Sequence, residues 1–152
     1  MESFPPIPPE NLAPKPLLRN SVRPDPDAKP RPDLAGARLK GPSSPDVYMV
    51  DPDGYLRHVY LFTYEWVFRD HSGILVSADL PRIAQRPDLW YGCLAQDLYG
   101  GPVYLIDGGP GRNIKNPIPT PAVMDKYHFN WGRVQKVYGV FLQAFSTGPE
   151  WH

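Results

Sequence analysis

Cys93 is the only cysteine of the 152-residue sequence and the residue best suited to nucleophilic chemistry. A catalytic cysteine needs a base that removes the thiol proton and a further group that orients the base. His58 or His128 could supply the imidazole, and Asp125 or Asp107 could supply the orienting carboxylate. Cys93 nevertheless falls in a predicted strand, where a cysteine is usually a packing residue. A small Cys/His-dependent enzyme is therefore one hypothesis, and a buried structural thiol is the other.

The sequence contains no spacing that is typical of a metal or phosphate site. No two of its four histidines stand at an i,i+4 or His-x-His spacing, so the fold would have to assemble any metal site. The run from Asp51 to Gly54 resembles the start of a calcium loop, but Pro52 and the missing later acidic ligand favour a hairpin turn. The glycines at 108–111 lack the Lys-Ser/Thr of a phosphate loop. We predict neither a metal nor a cofactor.

Aromatic side chains are the second candidate for function. The sequence has 9 Tyr and 4 Trp, and flat rings with a polar tip suit sugar faces and protein interfaces. Some of these rings must build the core of so small a domain. Five of them fall at predicted element ends or near turns: Trp66, Trp90, Tyr91, Tyr99 and Trp131. These five are the predicted ligand-binding residues.

The strongest structural signal is a β-hairpin that occurs twice, at residues 46–59 and 102–114. Each copy has a Val-Tyr-apolar-apolar-Asp run, a turn rich in Gly, Pro or Asp, and then an Arg followed by an extended segment. Tyr48 corresponds to Tyr104, and Arg57 after the first turn corresponds to Arg112 after the second. The two tyrosines are 56 residues apart, and self-similarity at a period of this length predicts an internal repeat.

The copies continue alike beyond their hairpins. Thr63 and Thr120 are predicted N-caps of short helices, with Gly73 as the stop signal of the first helix and Pro121 at the first position of the second. Residues 132–146 allow two alternatives, because their apolar spacing fits one long helix while the first copy has an extended segment there. We favour a strand followed by a short helix, since two copies should share one topology.

Together these signals predict an α+β fold of two related β-meander plus short-helix units, packed around a pseudo-twofold axis. Each unit alone would expose one face of its sheet. The units span about 34–88 and 89–152 and form a single domain. Ten of the 21 prolines fall in residues 1–33, which predicts a disordered Pro-rich arm.

Composition restricts the class of function. The 16 basic and 16 acidic residues balance, which disfavours a nucleic-acid partner. No apolar run approaches the length of a membrane span. The first residues lack the basic and apolar regions of a standard signal peptide, so we expect a soluble protein whose export would need another route. The compartment itself is left open.

The second unit resembles short repeats of bacterial extracellular and cell-wall-associated proteins. The resemblance rests on these residues: Val103-Tyr104-Leu105-Ile106, Gly111-Arg112-x-Ile114, a Thr/Pro-started helix ending in Tyr127-x-Phe129-x-Trp131, and Val134-x-x-Val137. It covers residues 89–151 well and 34–88 more loosely. Such repeats stand beside catalytic domains as accessory modules. The resemblance implies a non-catalytic binding or interaction module with a glycan or protein ligand, and the alternatives are the small enzyme and a structural assembly protein.

Overall fold

The computed structural model describes residues 22–89, 92–107 and 113–152. Within them the fold is α+β, as predicted, with nine strands in two sheets and three short α-helices. Trp90 and Tyr91 lie outside the described residues, as do the turn at 108–112 and the first part of the predicted arm. In the described part of the chain, no helix has the length and apolar character needed to cross a membrane.

The first sheet is a three-strand meander closed by a fourth strand. In chain order its elements are β1 (Arg38–Lys40), β2 (Val47–Val50), β3 (Leu56–Val59), helix α1 (Leu61–Val67) and β4 (Leu75–Val76). The meander pairs are antiparallel, whereas β4 pairs parallel with β1, so the strand order is β3-β2-β1-β4. A 3₁₀ turn that begins at Leu80 follows β4.

The turn between β2 and β3 has the chemistry that the sequence predicts. Asp51 Oδ1 accepts hydrogen bonds from the amides of Asp53 and Tyr55, both at 3.0 Å. Gly54 has a φ of +89°, in the left-handed region that glycine adopts without strain. A Cβ at this position would also lie 2.2 Å from the Pro32 nitrogen. Glycine is therefore required both by the turn and by the chain that passes over it.

The second sheet repeats this plan and adds one strand. Its elements are β5 (Cys93–Asp97), β6 (Val103–Asp107), β7 (Ile114–Ile118), α2 (Pro121–Lys126), β8 (Gln135–Val137), α3 (Gly139–Leu142) and β9 (Ser146–Thr147). The order β8-β5-β6-β7-β9 contains the same four-strand arrangement, because β8 pairs parallel with β5 as β4 does with β1. Residues 132–146 thus contain a strand and then a short helix, the favoured alternative. The pseudo-twofold axis stays a prediction.

The register corrects one predicted correspondence between the copies. Tyr48 and Tyr104 match, since each pairs with the middle of the first strand of its sheet. Counted from these tyrosines, however, Arg57 on β3 stands where Asn116 stands on β7. The predicted match of Arg57 with Arg112 is therefore wrong. The second hairpin is longer than the first, and the extra residues move the arginine out of the equivalent position.

Only one of the two predicted helix caps is present. Thr120 caps α2, and its hydroxyl accepts a hydrogen bond from an amide of the first turn. Thr63 does not cap α1, because the helix already begins at Leu61 and the Thr63 side chain is buried within it. The helix also ends at Val67 rather than at Gly73. Burial of one face of α1 in the core outweighs the local capping signal.

The two halves, residues 34–88 and 89–152, bury one common core. Both inner sheet faces and helices α1 and α2 contribute to it. The contributors include Met49, Val59, Tyr64, Val67 and Phe68 of the first half and Leu94, Leu105, Met124, Phe129 and Trp151 of the second. Phe68 and Phe129 meet across the boundary with ring centres 5.6 Å apart. Neither half can bury its apolar face without the other, as expected for units of this size.

Residues 22–33, predicted to belong to the disordered arm, lie on the outer face of the first sheet. The Val22 amide donates to the Tyr48 hydroxyl at 2.8 Å, and the Asp25 amide donates to the Pro81 carbonyl at 2.8 Å. Further along, Lys29 forms a parallel bridge with Ile83. Residues 22–33 are thus ordered although composition assigns them to the arm, because they pack on apolar residues of the first sheet.

Candidate functional site

Trp66 and Trp131, two of the five predicted ligand-binding residues, lie on the surface on either side of a pairing between two chain segments. The chain after α1 pairs with the chain after α2: the Asn130 amide donates to the Val67 carbonyl at 2.8 Å, and Phe68 bridges Phe129 in antiparallel register. Trp66 lies in the last turn of α1, just before this pairing, and Trp131 begins the 3₁₀ turn just after it. Each is 47% exposed. The pairing therefore places side by side two segments that are far apart in sequence, each with a half-exposed tryptophan.

The exposed apolar surface continues along α1. Leu61 and Phe62 are 70% and 50% exposed, although the opposite side of the same helix is buried. The guanidinium of Arg133 lies 5.0 Å from the centre of the Trp66 ring. We name this surface the aromatic face and define it as Leu61, Phe62, Trp66, Trp131 and Arg133. A helix that is apolar on both sides is typical of an element that also contacts a partner.

Tyr99 lies away from the aromatic face. It is 88% exposed at the tip of the β5–β6 turn, where its amide donates to Asp97 Oδ1 at 2.9 Å. The neighbouring Leu98 amide donates to the Val137 carbonyl of β8 at 2.7 Å. Tyr99 thus belongs to the outer edge of the second sheet. Two further predicted residues, Trp90 and Tyr91, fall outside the described residues.

The enzyme hypothesis needs Cys93 beside an imidazole, and the described residues do not provide this. Cys93 packs against the cluster of Ala95, Ile106 and Leu142 on the outer face of the second sheet. Burial raises the pKa of its thiol, whereas nucleophilic cysteines usually have a lowered pKa. Among the described residues, no hydrogen bond or ion pair joins Cys93 to a histidine. The thiol has the surroundings of a packing residue.

His128 and Asp125 have partners in the first half instead. His128 Nε2 lies 2.9 Å from Asp70 Oδ1, and Asp125 pairs with Arg69. Hydrogen bonds from Ser72 and from His128 hold the pKa of Asp70 well below its usual value. These contacts join the end of α1 to the end of α2. They therefore hold the two halves together beside the aromatic face.

Asp107, the other candidate orienting carboxylate, belongs to a buried ion pair between the halves. Arg57 Nη2 lies 2.5 Å from Asp107 Oδ2, and both side chains are less than one-tenth exposed. The Arg57 Nε also donates to the Pro87 carbonyl at 2.8 Å. This fixed arrangement connects β3 to β6. Asp107 is thus committed to a contact between sheets.

His58 lies in a cluster that sequence reasoning did not find. Its side chain is only 6% exposed, with Nε2 3.8 Å from Asp46 and Nδ1 4.0 Å from Asp88. Both distances exceed a hydrogen bond, and Nδ1 has no such partner among the described residues. Tyr60 donates to Asp88 at 2.9 Å, and burial followed by this bond raises the pKa of the Tyr60 hydroxyl. No spacing in the sequence signals residues so widely separated.

This cluster opens into a groove of about 280 Å³ at the start of α1. Asp46, His58, Tyr60 and Tyr64 contribute to its wall, and Leu61 is shared with the aromatic face. The volume lies near the lower end of the range for small-molecule sites. The groove and the aromatic face thus form one continuous surface with polar groups at one end and half-exposed rings at the other.

A second cleft, of about 260 Å³, lies between the halves. Five of its charged residues are already engaged: Arg86 contacts Asp51 at 3.2 Å and Asp53 at 2.9 Å, and the Arg57–Asp107 pair closes one side. The cleft is therefore best explained as part of the contact between the halves. Across the described part of the chain, no three His, Cys, Asp or Glu side chains gather as a metal site.

Comparison with protein-family models, with characterised proteins and with solved structures found no match for this chain. The aromatic face and the adjoining groove are therefore the evidence on function that the molecule itself supplies. This surface presents half-exposed rings, a guanidinium and a partly buried carboxylate.

Proposed function

We propose that this chain is a non-catalytic binding or interaction module whose ligand contacts the aromatic face. The observation that carries the proposal is that Trp66 and Trp131, which flank the pairing of the chains after α1 and α2, are each half exposed although the core offers apolar surroundings nearby. Tryptophan rings so placed dominate the energy of many interfaces, because they bury a large area with little loss of side-chain entropy.

Arg133 and the groove add polar selectivity to this surface. The guanidinium over Trp66 can hydrogen-bond to a ligand carbonyl, carboxylate or hydroxyl while the ring packs on an apolar part of the same ligand. Asp46, about one-quarter exposed at the groove, offers an acceptor at the opposite end. Both a cell-envelope glycan and a protein segment carry such groups. The resemblance of the second half to cell-wall-associated repeats supports the glycan.

The proposal is tested by binding measurements on the full chain and on Trp66→Ala and Trp131→Ala variants. The probes are purified cell-wall polysaccharide in a sedimentation assay and, for protein ligands, a photo-crosslinker placed at Phe62. Each substitution should weaken binding by about tenfold or more, because hot-spot rings are worth about 2 kcal/mol. Tyr99→Ala is the matched control, since this ring is more exposed but lies elsewhere, and binding should be unchanged.

Equal binding by the wild type and both Trp variants would contradict the assignment of the aromatic face. Failure to bind polysaccharide together with the absence of any crosslinked protein would contradict the binding function itself. A thiol of Cys93 that reacts rapidly at neutral pH would favour the enzyme hypothesis instead.

A further inference from the structure

Two polar side chains, Asp46 and His58, line the groove at the start of α1 without a hydrogen bond to any described residue. The Asp46 side chain is 23% exposed, and its carboxylate lies 3.8 Å from His58 Nε2. The His58 side chain is 6% exposed, and its Nδ1 lies 4.0 Å from the Asp88 carboxylate. Buried polar groups in proteins are nearly always hydrogen-bonded. Asp46 and His58 therefore present unused hydrogen-bonding capacity to the groove.

A single donor can reach both of these groups. An atom about 2.9 Å from Asp46 Oδ1 can also lie about 2.9 Å from His58 Nε2, because these two atoms are 3.8 Å apart. His58 Nε2 accepts such a bond when the ring proton is on Nδ1, the nitrogen that faces Asp88. A primary ammonium group has three donors and no acceptor, and its charge strengthens the bond to a carboxylate.

The charge of the groove favours a cation. Its lining includes no lysine or arginine, and Asp88 places a second carboxylate, with a side chain only 4% exposed, beside His58. Arg38 is not part of the lining, and its guanidinium donates to the Tyr64 hydroxyl at 2.7 Å and to two main-chain carbonyls. A cationic ligand would therefore be attracted by Asp46 and Asp88 without meeting a lysine or arginine of the lining.

The remaining lining residues suit a short apolar stem. The aliphatic ones are Pro45, Val47, Val59 and Leu61. Tyr60 and Tyr64 add aromatic rings, which attract cations through their faces. His71, the other histidine of the lining, already has partners, since its ring stacks on Tyr64 with centres 4.5 Å apart and its Nε2 lies 3.2 Å from Glu65. A volume of about 280 Å³ suits a small group rather than a drug-sized molecule.

We infer that the groove binds a primary ammonium group carried on a short alkyl stem. The ammonium group donates to the Asp46 carboxylate and to His58 Nε2, and the stem packs on the aliphatic wall. This inference rests on the proposed function and deepens it, because the groove adjoins the aromatic face at Leu61 and receives the charged end of the same ligand.

The probe is n-butylamine, which is protonated at neutral pH as a lysine side chain is. The uncharged control of similar length is n-butanol. NMR spectra of the full chain with labelled histidines follow the His58 ring signals during each titration. Butylamine should shift these signals in a saturable way and bind at least about tenfold more tightly than butanol, because charge-assisted hydrogen bonds are stronger than neutral ones.

Asp46→Asn tests the carboxylate, since it removes the charge and keeps the size of the side chain. It should weaken butylamine binding by about tenfold. The matched control is Asp79→Asn, because the Asp79 side chain is 68% exposed and lies outside the groove, and binding should be unchanged. Trp66→Ala should also leave butylamine binding unchanged, since the probe fills only the groove.

Butylamine that gives no saturable shift, or that binds no more tightly than butanol, would overturn the inference. Unchanged butylamine binding in Asp46→Asn would also overturn it. The proposed function fails separately: weaker polysaccharide or protein binding by the Trp66 and Trp131 variants would still support the aromatic face if butylamine did not bind. Saturable butylamine binding that is lost in Asp46→Asn supports the inference.

Discussion

The two sheets use the same strand order but cover their outer faces differently. On the first sheet Leu56 is fully buried and Tyr48 is 1% exposed beneath residues 22–34. At the matching positions of the second sheet stand Lys115 and a partly exposed Tyr104. Apolar residues from the inner faces of both sheets contribute to one common core. Strand order is thus maintained by the common core, whereas the outer face can change its chemistry without changing the fold.

The largest expected effect comes from the ion pair that joins the halves. Arg57→Met removes the cation from a carboxylate that stays buried on Asp107, and we expect a loss of about 3–5 kcal/mol in the free energy of unfolding. Urea denaturation measures it. Combining Arg57→Met with Asp107→Leu should recover most of the loss, since no buried charge remains. Arg31→Met is the matched control: it breaks an exposed pair with Asp33 and should change nothing measurable. An equal loss in the single and double variants would contradict this explanation.

The matching residues Leu56 and Lys115 test whether the two outer faces contribute differently to the free energy of unfolding, as their different burial suggests. Leu56→Ala should cost about 2–5 kcal/mol, because it opens a cavity under a covered face. Lys115→Ala should cost about 1 kcal/mol, the value of its hydrogen bonds to the end of α3. Urea denaturation of the two variants gives the comparison. Similar costs would mean that the second face is as tightly packed as the first.

A finer test removes one hydroxyl from each sheet. Tyr48→Phe should destabilise the protein by about 1 kcal/mol, because the Val22 amide then loses its acceptor. Tyr104→Phe should change stability by less than about 0.5 kcal/mol. Thermal unfolding of both variants measures the difference. A larger loss at Tyr104 would show that its hydroxyl has a partner on the outer face of the second sheet.

The smallest effect concerns the surface contact between the halves and depends on pH. Because its pKa is lowered on folding, the Asp70 carboxylate contributes stability at pH values above its usual pKa of 3.8, and this stability is lost as the pH falls through the lowered pKa. Asp70→Asn should therefore lower the unfolding temperature slightly at neutral pH. The difference from the wild type should disappear in strong acid. A difference that stays constant with pH would mean that charge is not its cause.

Local signals predicted much of the fold. The hairpins and the Thr120 cap follow from residues near one another in sequence, whereas the strand before α3 was predicted from the repeat, against the local apolar spacing. The predictions failed where contacts between residues far apart in sequence determine the local structure. Thr63 lies within α1 because one face of that helix is buried in the core. Residues 22–33 are ordered by hydrogen bonds to distant parts of the first half, which composition alone does not predict.

The candidate site divides in the same way. Trp66 and Trp131 could be selected by residue type and position, but their placement depends on a pairing between the chain segments that follow two helices. The contact of His58 with Asp46 and Asp88 joins a loop, a strand and the linker between the halves. The sequence offered no periodic pattern for it, since each residue stands in a different element.

Gly54 gives the first hairpin a second role as a docking point. The Arg31 amide donates to the Gly54 carbonyl at 2.8 Å, and the chain at residues 31–32 passes where a side chain would stand. Any larger residue at Gly54 would push residues 31–32 outward and would also strain the turn. A substitution at Gly54 would therefore displace residues 22–34 from the first sheet. The apolar outer face of that sheet would then be exposed to solvent, while the strands kept their pairing.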